Sequence, residues 1–317
     1  MQEIKDMKRG NITSMMGFTL LGLFPGTRYL EFLVYTIFLM YIIAITANTI
    51  LVLLLSLDPQ LQSPMYFLLS QLSLMDISLI STTIPKMLTN FFSGTTDISY
   101  IACGTQVYLY ISLAGSECIL LTLMAYDRYV AICNPLRYVT TMNSHVCLQM
   151  AIVSWVGGAI NSLLQTTYSM HFPRCGSREI HHFFCEIQAV LKLACEDTSV
   201  YEKVVSVMGI IFLLIPFGLI LTSYTLIFLS VLHVNSPKGR NRALATCSSH
   251  LMVVFLYFGP TMVIYLTPSA LHSSEQDQSV SVFYTILTPM LNPLIYSLRN
   301  KDVGKALRKI YAKIHHN

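Results

Sequence analysis

The sequence predicts an all-α membrane protein, a bundle of seven transmembrane helices followed by a short amphipathic C-terminal helix. Three observations carry that expectation. Of its 317 residues, 54% are hydrophobic and only 11% are charged, too few polar groups to cover a water-facing surface of this size. Apolar stretches of about 20 residues or more, enough to cross roughly 30 Å of hydrocarbon, recur between polar segments. The basic residues also gather in alternate connections, the asymmetry that membrane insertion imposes.

Residues 1–317 read as a single seven-helix domain, with a tail over 1–28, a bundle over 29–298 and a second tail over 299–317. The first ten residues are polar and carry no cleavable leader, so the first apolar run, Phe32 to Leu57, serves as its own insertion signal. Six more spans follow: Met65 to Ile84, Val107 to Cys133, Val146 to Thr167, Val204 to Leu232, Ala243 to Leu266 and Val280 to Leu298. Their lengths suit helices rather than barrel strands. An odd number of crossings puts the termini on opposite sides. Arg137, then Lys238, Arg240 and Arg242, then Arg299, Lys301, Lys305, Arg308, Lys309 and Lys313 mark one side as cytoplasmic, whereas the last connection opposite holds Glu275 and Asp277. Lys5, Lys8 and Arg9 run against this rule, although Glu3 and Asp6 lie among them. The sequon Asn11-Ile12-Thr13 agrees with an extracellular N-terminus and glycosylation at Asn11. The expected location is therefore the plasma membrane, crossed repeatedly, with the C-terminus in the cytoplasm. The net charge of +4 comes largely from that side and points to membrane lipid and a protein partner, not nucleic acid.

Met124 to Cys133 reads Met-Ala-Tyr-Asp-Arg-Tyr-Val-Ala-Ile-Cys and ends the third span with an acid and an arginine at the membrane boundary. Charges there are costly unless paired or interfacial, so Asp127 and Arg128 form either a switch or an anchor. Cys103, Cys175, Cys185 and Cys195 fall on the outer side, where two disulfides can form and three pairings are open. Cys118, Cys133, Cys147 and Cys247 read as free thiols. His182, with Cys185, Glu186, His181 and His171 nearby, is a weak metal candidate, set against a disulfide at Cys185 and a hydrated loop surface for the histidines. After the seventh span, Val303, Ala306, Leu307, Ile310, Tyr311 and Ile314 share a helical face against a basic one, the pattern of an interfacial helix. HExxH, GxSxG and phosphate-loop patterns are absent, so neither an enzyme nor a cofactor is expected. A transporter would carry a repeat or matched broken helices, and neither is visible.

Five motifs in order add a family resemblance: Pro64-Met65-Tyr66, Met124 to Cys133, Ser223-Tyr224, Thr246-Cys247-Ser248-Ser249-His250, and Pro289-Met290-Leu291-Asn292-Pro293-Leu294-Ile295-Tyr296. Together they resemble olfactory receptors among the rhodopsin-like G-protein-coupled receptors. The segments His182 to Glu186 and Leu191 to Cys195 resemble the tetrapod-type class, whose ligands are mostly volatile and apolar. The resemblance implies disulfides Cys103–Cys185 and Cys175–Cys195. It also implies that Arg128, held by Asp127 beside Tyr129, swings toward a G protein when the sixth helix moves, with Tyr224, Asn292, Pro293 and Tyr296 in the coupling apparatus. That partner would be a stimulatory heterotrimeric G protein raising cyclic AMP, with trafficking accessory proteins as further candidates.

Asp76 and Glu117, deep in the second and third spans, resemble the family's interior polar site. Two carboxyls in hydrocarbon cannot both stay ionised and unpaired, so a shared proton, a sodium ion or a water network with Asn48 and Asn292 is expected, or else simple polar packing. For the odorant, helical spacing joins Tyr110, Ala114 and Cys118, with Gly115 beside them. Met208 and Phe212, then Phe258, Thr261 and Tyr265, then Val282 and Thr285 complete the expected cavity, and the resemblance implies a cap at Ile187. These groups suit a small, neutral, largely apolar ligand oriented by hydroxyls, and Tyr110 occupies the place where amine receptors carry an aspartate. The chain departs from the family at Gln62, Ser63, Arg242, Leu244 and Ala245. It also reverses an aromatic pair at Tyr257-Phe258, which questions a toggle role for Phe258 and predicts that the Tyr257 hydroxyl points away from the site.

Overall fold

A computed structural model describes residues 17–24, 28–174, 177–233, 237–266, 274–299 and 303–308. Its helices are α1 (Leu30–Leu57), α2 (Pro64–Ser93), α3 (Tyr100–Cys133), α4 (Ser144–His171), α5 (Ser199–Leu232) and α6 (Pro237–Leu266). The seventh, α7, is assembled from Ser274–Val282, a π-helical turn Phe283–Leu287 and Thr288–Arg299. Hydropathy located all seven but trimmed their ends, because helix termini are set by capping chemistry as much as by apolarity. Ser63 accepts a hydrogen bond from the Tyr66 amide with Pro64 at the first turn, which starts α2. Gly94 ends that helix at φ +68°, well beyond the expected Ile84. The Ser99 hydroxyl accepts from the Ala102 amide, so α3 opens at Tyr100 instead of Val107. Asn143 caps α4 through the Val146 amide.

Among the described residues, α1 to α5 are long and apolar enough to cross a membrane by themselves. Helix α6 contributes the shorter apolar stretch Cys247–Val263, and α7 opens on Ser274-Glu275-Gln276-Asp277. Helix α6 packs against α5 and α7, and α7 against α1 and α2. Exposed Phe32, Leu39, Ile160, Leu164, Ile215 and Phe228 point outward from the bundle, as a lipid-facing surface requires.

Helix α3 is the central strut and touches α2, α4, α5 and α6. Its seam with α4 is close: a Cβ placed on Gly158 would fall on the Ser116 hydroxyl and the Ser112 carbonyl, and one on Gly115 would lie 3.4 Å from the Gly158 Cα. The Ser162 hydroxyl donates to the Tyr108 carbonyl at 2.6 Å across this seam. Trp155 Nε1 ties α4 to Gln71 of α2 at 3.1 Å.

The end of the bundle where α3 begins is closed by structure that periodicity did not foresee. A three-stranded sheet places β1 (Phe18–Leu20) antiparallel to β2 (Asp97–Ile98) and parallel to β3 (Glu179–Ile180). Arg174 lies over the rings of Phe18 and Tyr100 at 5.2 and 5.0 Å, riveting β1 to the start of α3. The Cys103–Cys185 disulfide ties the long loop to α3, and Cys118, Cys133, Cys147 and Cys247 are free thiols, as expected. Cys195 is also disulfide-bonded. Its expected partner Cys175 lies outside the described residues, as does Asn11.

At the opposite end, residues 303–308 are helical, with Val303 and Ala306 packed into the main core and Lys305 and Arg308 exposed. The remainder of the expected terminal helix, from Lys309 through Tyr311 and Ile314, lies outside the described residues.

Gly158→Ala should lower stability by about 1–3 kcal/mol through overpacking, read as a drop in thermal midpoint of detergent-purified protein. Gly218→Ala, at a helical position with open space, serves as the control and should leave the midpoint unmoved or slightly raised, because Ala favours a helix over Gly by up to about 1 kcal/mol.

Candidate functional site

Between α3, α4, α5, α6 and the π turn of α7 lies a cavity of about 140 Å³, roofed by Cys185, Glu186, Ile187 and Gln188. A five-residue helix, Ile187–Leu191, begins in that roof. Of the residues expected there, Tyr110, Ala114, Gly115, Cys118, Ile187, Phe212 and Thr261 line it. Four do not. Met208 is 37% exposed on the outer side of α5, where Gly209 and Leu213 flank Phe212 instead. A spacing of four residues advances about 40° round a helix, enough to carry one of a pair past the edge of a narrow cavity. Phe258 is fully buried against Phe217 at 5.5 Å. Val282 packs into the apolar core beneath the loop, and Thr285 is buried with its hydroxyl donating to the Ser281 carbonyl. The Tyr265 side chain lies outside the described residues.

The reversed aromatic pair has a definite consequence. Tyr257, contrary to expectation, is the member that faces the cavity, and its hydroxyl donates to the Ala114 carbonyl of α3. Thr261 follows one turn later on that face and donates to the Tyr257 carbonyl at 2.5 Å. The cavity is also more polar than the spacing suggested, because Glu117, Asn161, Gln165, Glu186 and Gln188 line it. Gln165 Nε2 donates to Asn161 Oδ1 at 3.0 Å. That pair had a legible signal: two amides one turn apart in an apolar span.

Above the cavity, His182 corrects the reading of a hydrated loop surface. It is only 2% exposed, with Nε2 at 3.2 Å from Ser281 Oγ of α7, and Nδ1 accepts the Phe184 amide at 3.4 Å. His171 and His181 are exposed. Burial pushes the His182 imidazole down to about 3, so at neutral pH its 3.7 Å approach to Glu186 joins a neutral ring to the carboxyl group. Gln278 extends the same fastening: its Oε1 accepts the Phe24 amide at 2.9 Å and its Nε2 donates to the His181 carbonyl at 3.0 Å.

Below the cavity, Asn292 Nδ2 donates to both oxygens of buried Asp76 at 3.1 Å, joining α7 to α2. Asn48 Nδ2 donates to the Pro289 carbonyl at 2.8 Å and joins α1 to α7. Glu117 sits close enough to Asp76 for the two carboxyls to interact electrostatically. Of the four expected members of the polar cluster, Asp76 and Asn292 are bonded directly, and Asn48 reaches α7 through the Pro289 carbonyl.

At the far end of α3, Arg128 Nη2 lies 3.0 Å from Asp127 Oδ2, and the Tyr138 hydroxyl donates to Asp127 Oδ1 at 2.8 Å. Tyr138 belongs to a short helix, Tyr138–Thr141, and was not foreseen, since an aromatic in a connection carries no periodic signal. Burial and the neighbouring Asp127 hold its phenol well above the ordinary value, so it remains a donor. Tyr129 is half-buried beside the core. Tyr224, expected as a partner for Arg128, is bonded here to His250 Nδ1 of α6 at 2.6 Å. Tyr296 is buried, and its hydroxyl has no partner among the described residues.

Comparison with known proteins finds the family described as olfactory receptor over residues 37–314. Olfactory receptor 2M2 of Homo sapiens is 52% identical over 306 residues, 96% of this chain and 87% of the relative. Human olfactory receptor 2T2 is 51% identical over 304 residues, covering 96% and 94%. Human olfactory receptor 2T11 is 51% identical over 300 residues, covering 95% of each.

Tyr138→Phe should remove the hydroxyl that helps satisfy Asp127, at a cost of about 1–3 kcal/mol to the buried carboxylate, seen as a lowered thermal midpoint in detergent. His182 supplies a pH dependence of definite sign. The unfolded chain takes up this proton below about 6.5 and the folded one only near 3, so the stability is complete above the first value and declines as pH falls between them. At pH 5 the loss from this group is about 2 kcal/mol, and His182→Gln should flatten that part of the pH–stability curve.

Proposed function

We propose, from the premise that this chain belongs to the olfactory receptor family, that it binds a small volatile molecule in the cavity beneath Ile187 and activates a stimulatory heterotrimeric G protein that raises cyclic AMP. Membership makes it an odorant-sensing, G-protein-coupled receptor that crosses the membrane repeatedly, and not an enzyme. The finer reading has the N-terminus extracellular, the disulfide-bearing end facing the odorant, and the basic C-terminal segment in the cytoplasm. The disulfide supports this orientation, because such bonds persist in oxidising compartments.

One observation carries the reading: a single helix bears both ends of the device. Helix α3 lines the cavity with Tyr110, Ala114 and Cys118, and ten residues after Cys118 it presents Arg128 beside Asp127. At 1.5 Å per residue that separation is about 15 Å. Asp127 engages Arg128 and Tyr138 while Tyr224 is engaged by His250, an arrangement we read as the resting one. Outward movement of α6 would draw His250 from Tyr224 and free that hydroxyl for Arg128, with Tyr296 as the second waiting partner. A ligand drives this change only to the extent that it binds the moved state more tightly, a tenfold preference corresponding to about 1.4 kcal/mol.

Cells bearing surface-verified protein, challenged with a broad volatile panel, should raise cyclic AMP for at least one compound. Arg128→Ala at equal surface density should lose that response. Retention of the response in Arg128→Ala would remove Arg128 from the coupling step.

A further inference from the structure

Side-chain amides in a membrane span ordinarily bridge to another helix, because hydrocarbon leaves them no other partner. Asn161 and Gln165 of α4 instead bond each other, Gln165 Nε2 to Asn161 Oδ1 at 3.0 Å, and both line the cavity. That bond uses one polar atom of each amide. Asn161 Nδ2 and Gln165 Oε1 flank it, and the described residues supply neither with a partner. Turning both amides over would exchange their roles and leave the sum unchanged: one NH2 group and one carbonyl oxygen remain open.

The pair is held still. Ser162, next to Asn161 in the chain, donates to the Tyr108 carbonyl of α3 at 2.6 Å, and the Tyr201 hydroxyl of α5 donates to the Gln165 carbonyl at 2.7 Å. Gly115 keeps space beside Asn161, since a Cβ there would stand 3.8 Å from Nδ2. The turn that carries the amides therefore belongs to the close α3–α4 seam, and a ligand meeting it has few groups to order.

The open atoms define a chemistry. A donor and an acceptor side by side are matched by a neutral group that carries an acceptor and a donor on adjacent positions, the pattern of a lactam edge or a hydroxyketone. A ketone or an ester meets the NH2 group but leaves the carbonyl oxygen unsatisfied, and a site built to bond a ligand group rejects the analogue that lacks it. Among the described lining residues there is no Lys, Arg or His to hold an anion, and the Glu186 carboxyl opposes one. Ile111, Phe212 and Leu213 supply apolar wall for the rest of a small molecule.

We infer that the Asn161–Gln165 pair is the specificity-determining anchor of this cavity and that it selects small neutral ligands bearing adjacent hydrogen-bond donor and acceptor groups over ketones and esters. This rests on the odorant-receptor reading above and refines its ligand class. It also sets the ligand's polar end on the α4 side and its apolar end against Phe212 and Leu213 of α5.

The test titrates the purified full-length receptor in detergent with δ-valerolactam, its N-methyl derivative and cyclohexanone, and reads binding as a rise in thermal midpoint. These compounds differ little in size, but only δ-valerolactam carries a donor beside its carbonyl. It should half-saturate at a concentration about tenfold or more below either of the others. Removing one amide frees the other, which still presents a donor and an acceptor, so Asn161→Leu and Gln165→Leu should each keep the preference. The double variant should lose it, with the δ-valerolactam concentration raised about tenfold and that of cyclohexanone unmoved. Should the double Leu variant fail to purify, Asn161→Val with Gln165→Met takes its place, and should that fail too the wild-type order decides.

Equal half-saturation by δ-valerolactam and its N-methyl derivative overturns the inference. So does the absence of any shift with δ-valerolactam, and so does an equal weakening of every ligand in the double variant, the behaviour of residues that merely shape the wall. Cyclic AMP in cells bearing the receptor separates these outcomes from the coupling reading. Binding with the expected preference but no cyclic AMP upholds the anchor and counts against stimulatory coupling. An Arg128-dependent response to other volatiles, with no lactam preference in binding, removes the anchor and leaves the receptor reading standing.

Discussion

Hydrocarbon offers no water to an unpaired polar group, and the polar fastenings between the helices of this bundle answer that constraint. The backbone satisfies it by remaining helical for seven passages. Two of the buried acids are satisfied by side chains that converge on α3 and α7: Asp127 has Arg128 and Tyr138, and Asp76 has Asn292. The Tyr138 and Asn292 bonds join different elements, so two of the devices that make buried charge tolerable also fix how those elements sit. Glu117 is the acid with an oxygen left open, and it is the one facing the cavity.

Close packing makes the arrangement responsive. Gly158 lets α4 approach α3 until backbone and side chains interlock, so this part of the bundle has little room to deform continuously. Movement is easier where the contacts are few and polar. The Tyr224–His250 bond between α5 and α6 is of that kind, and its two rings are stacked at 5.7 Å. A rigid α3–α4 unit beside a more loosely fastened α6 has the form expected of a two-state receptor.

The roof is held by polar fastenings that meet on α7. His182 reaches Ser281, and Gln278 holds both the chain before α1 and the long loop. Gln106 on α3 adds a further hold: its Oε1 accepts the Cys185 amide at 2.8 Å while its Nε2 donates to the Thr82 carbonyl of α2 at 2.9 Å. Together with the disulfide these place Ile187 over the cavity and couple the roof to the helix that carries Asn292.

The sequence by itself determined the solvent, the number of helices and the points of charge. Apolar length marks a membrane span without reference to any other residue, and an acid beside an arginine at its end stands out for the same reason. It determined much of α3's contribution to the cavity, because one helix face follows from 3.6 residues per turn. Only the tertiary structure decided which parts of α5, α6 and α7 complete that cavity, since periodicity groups residues on a face but leaves the rotation of the face toward its neighbours open. Met208 and Phe258 were misplaced for that reason, and Tyr257 and Glu117 were brought to the cavity by the packing angles of helices distant in sequence. Tyr138, His182 and the small sheet were likewise invisible to periodicity, because their bonds join residues far apart in the chain or held in connections, where no local pattern records the partner.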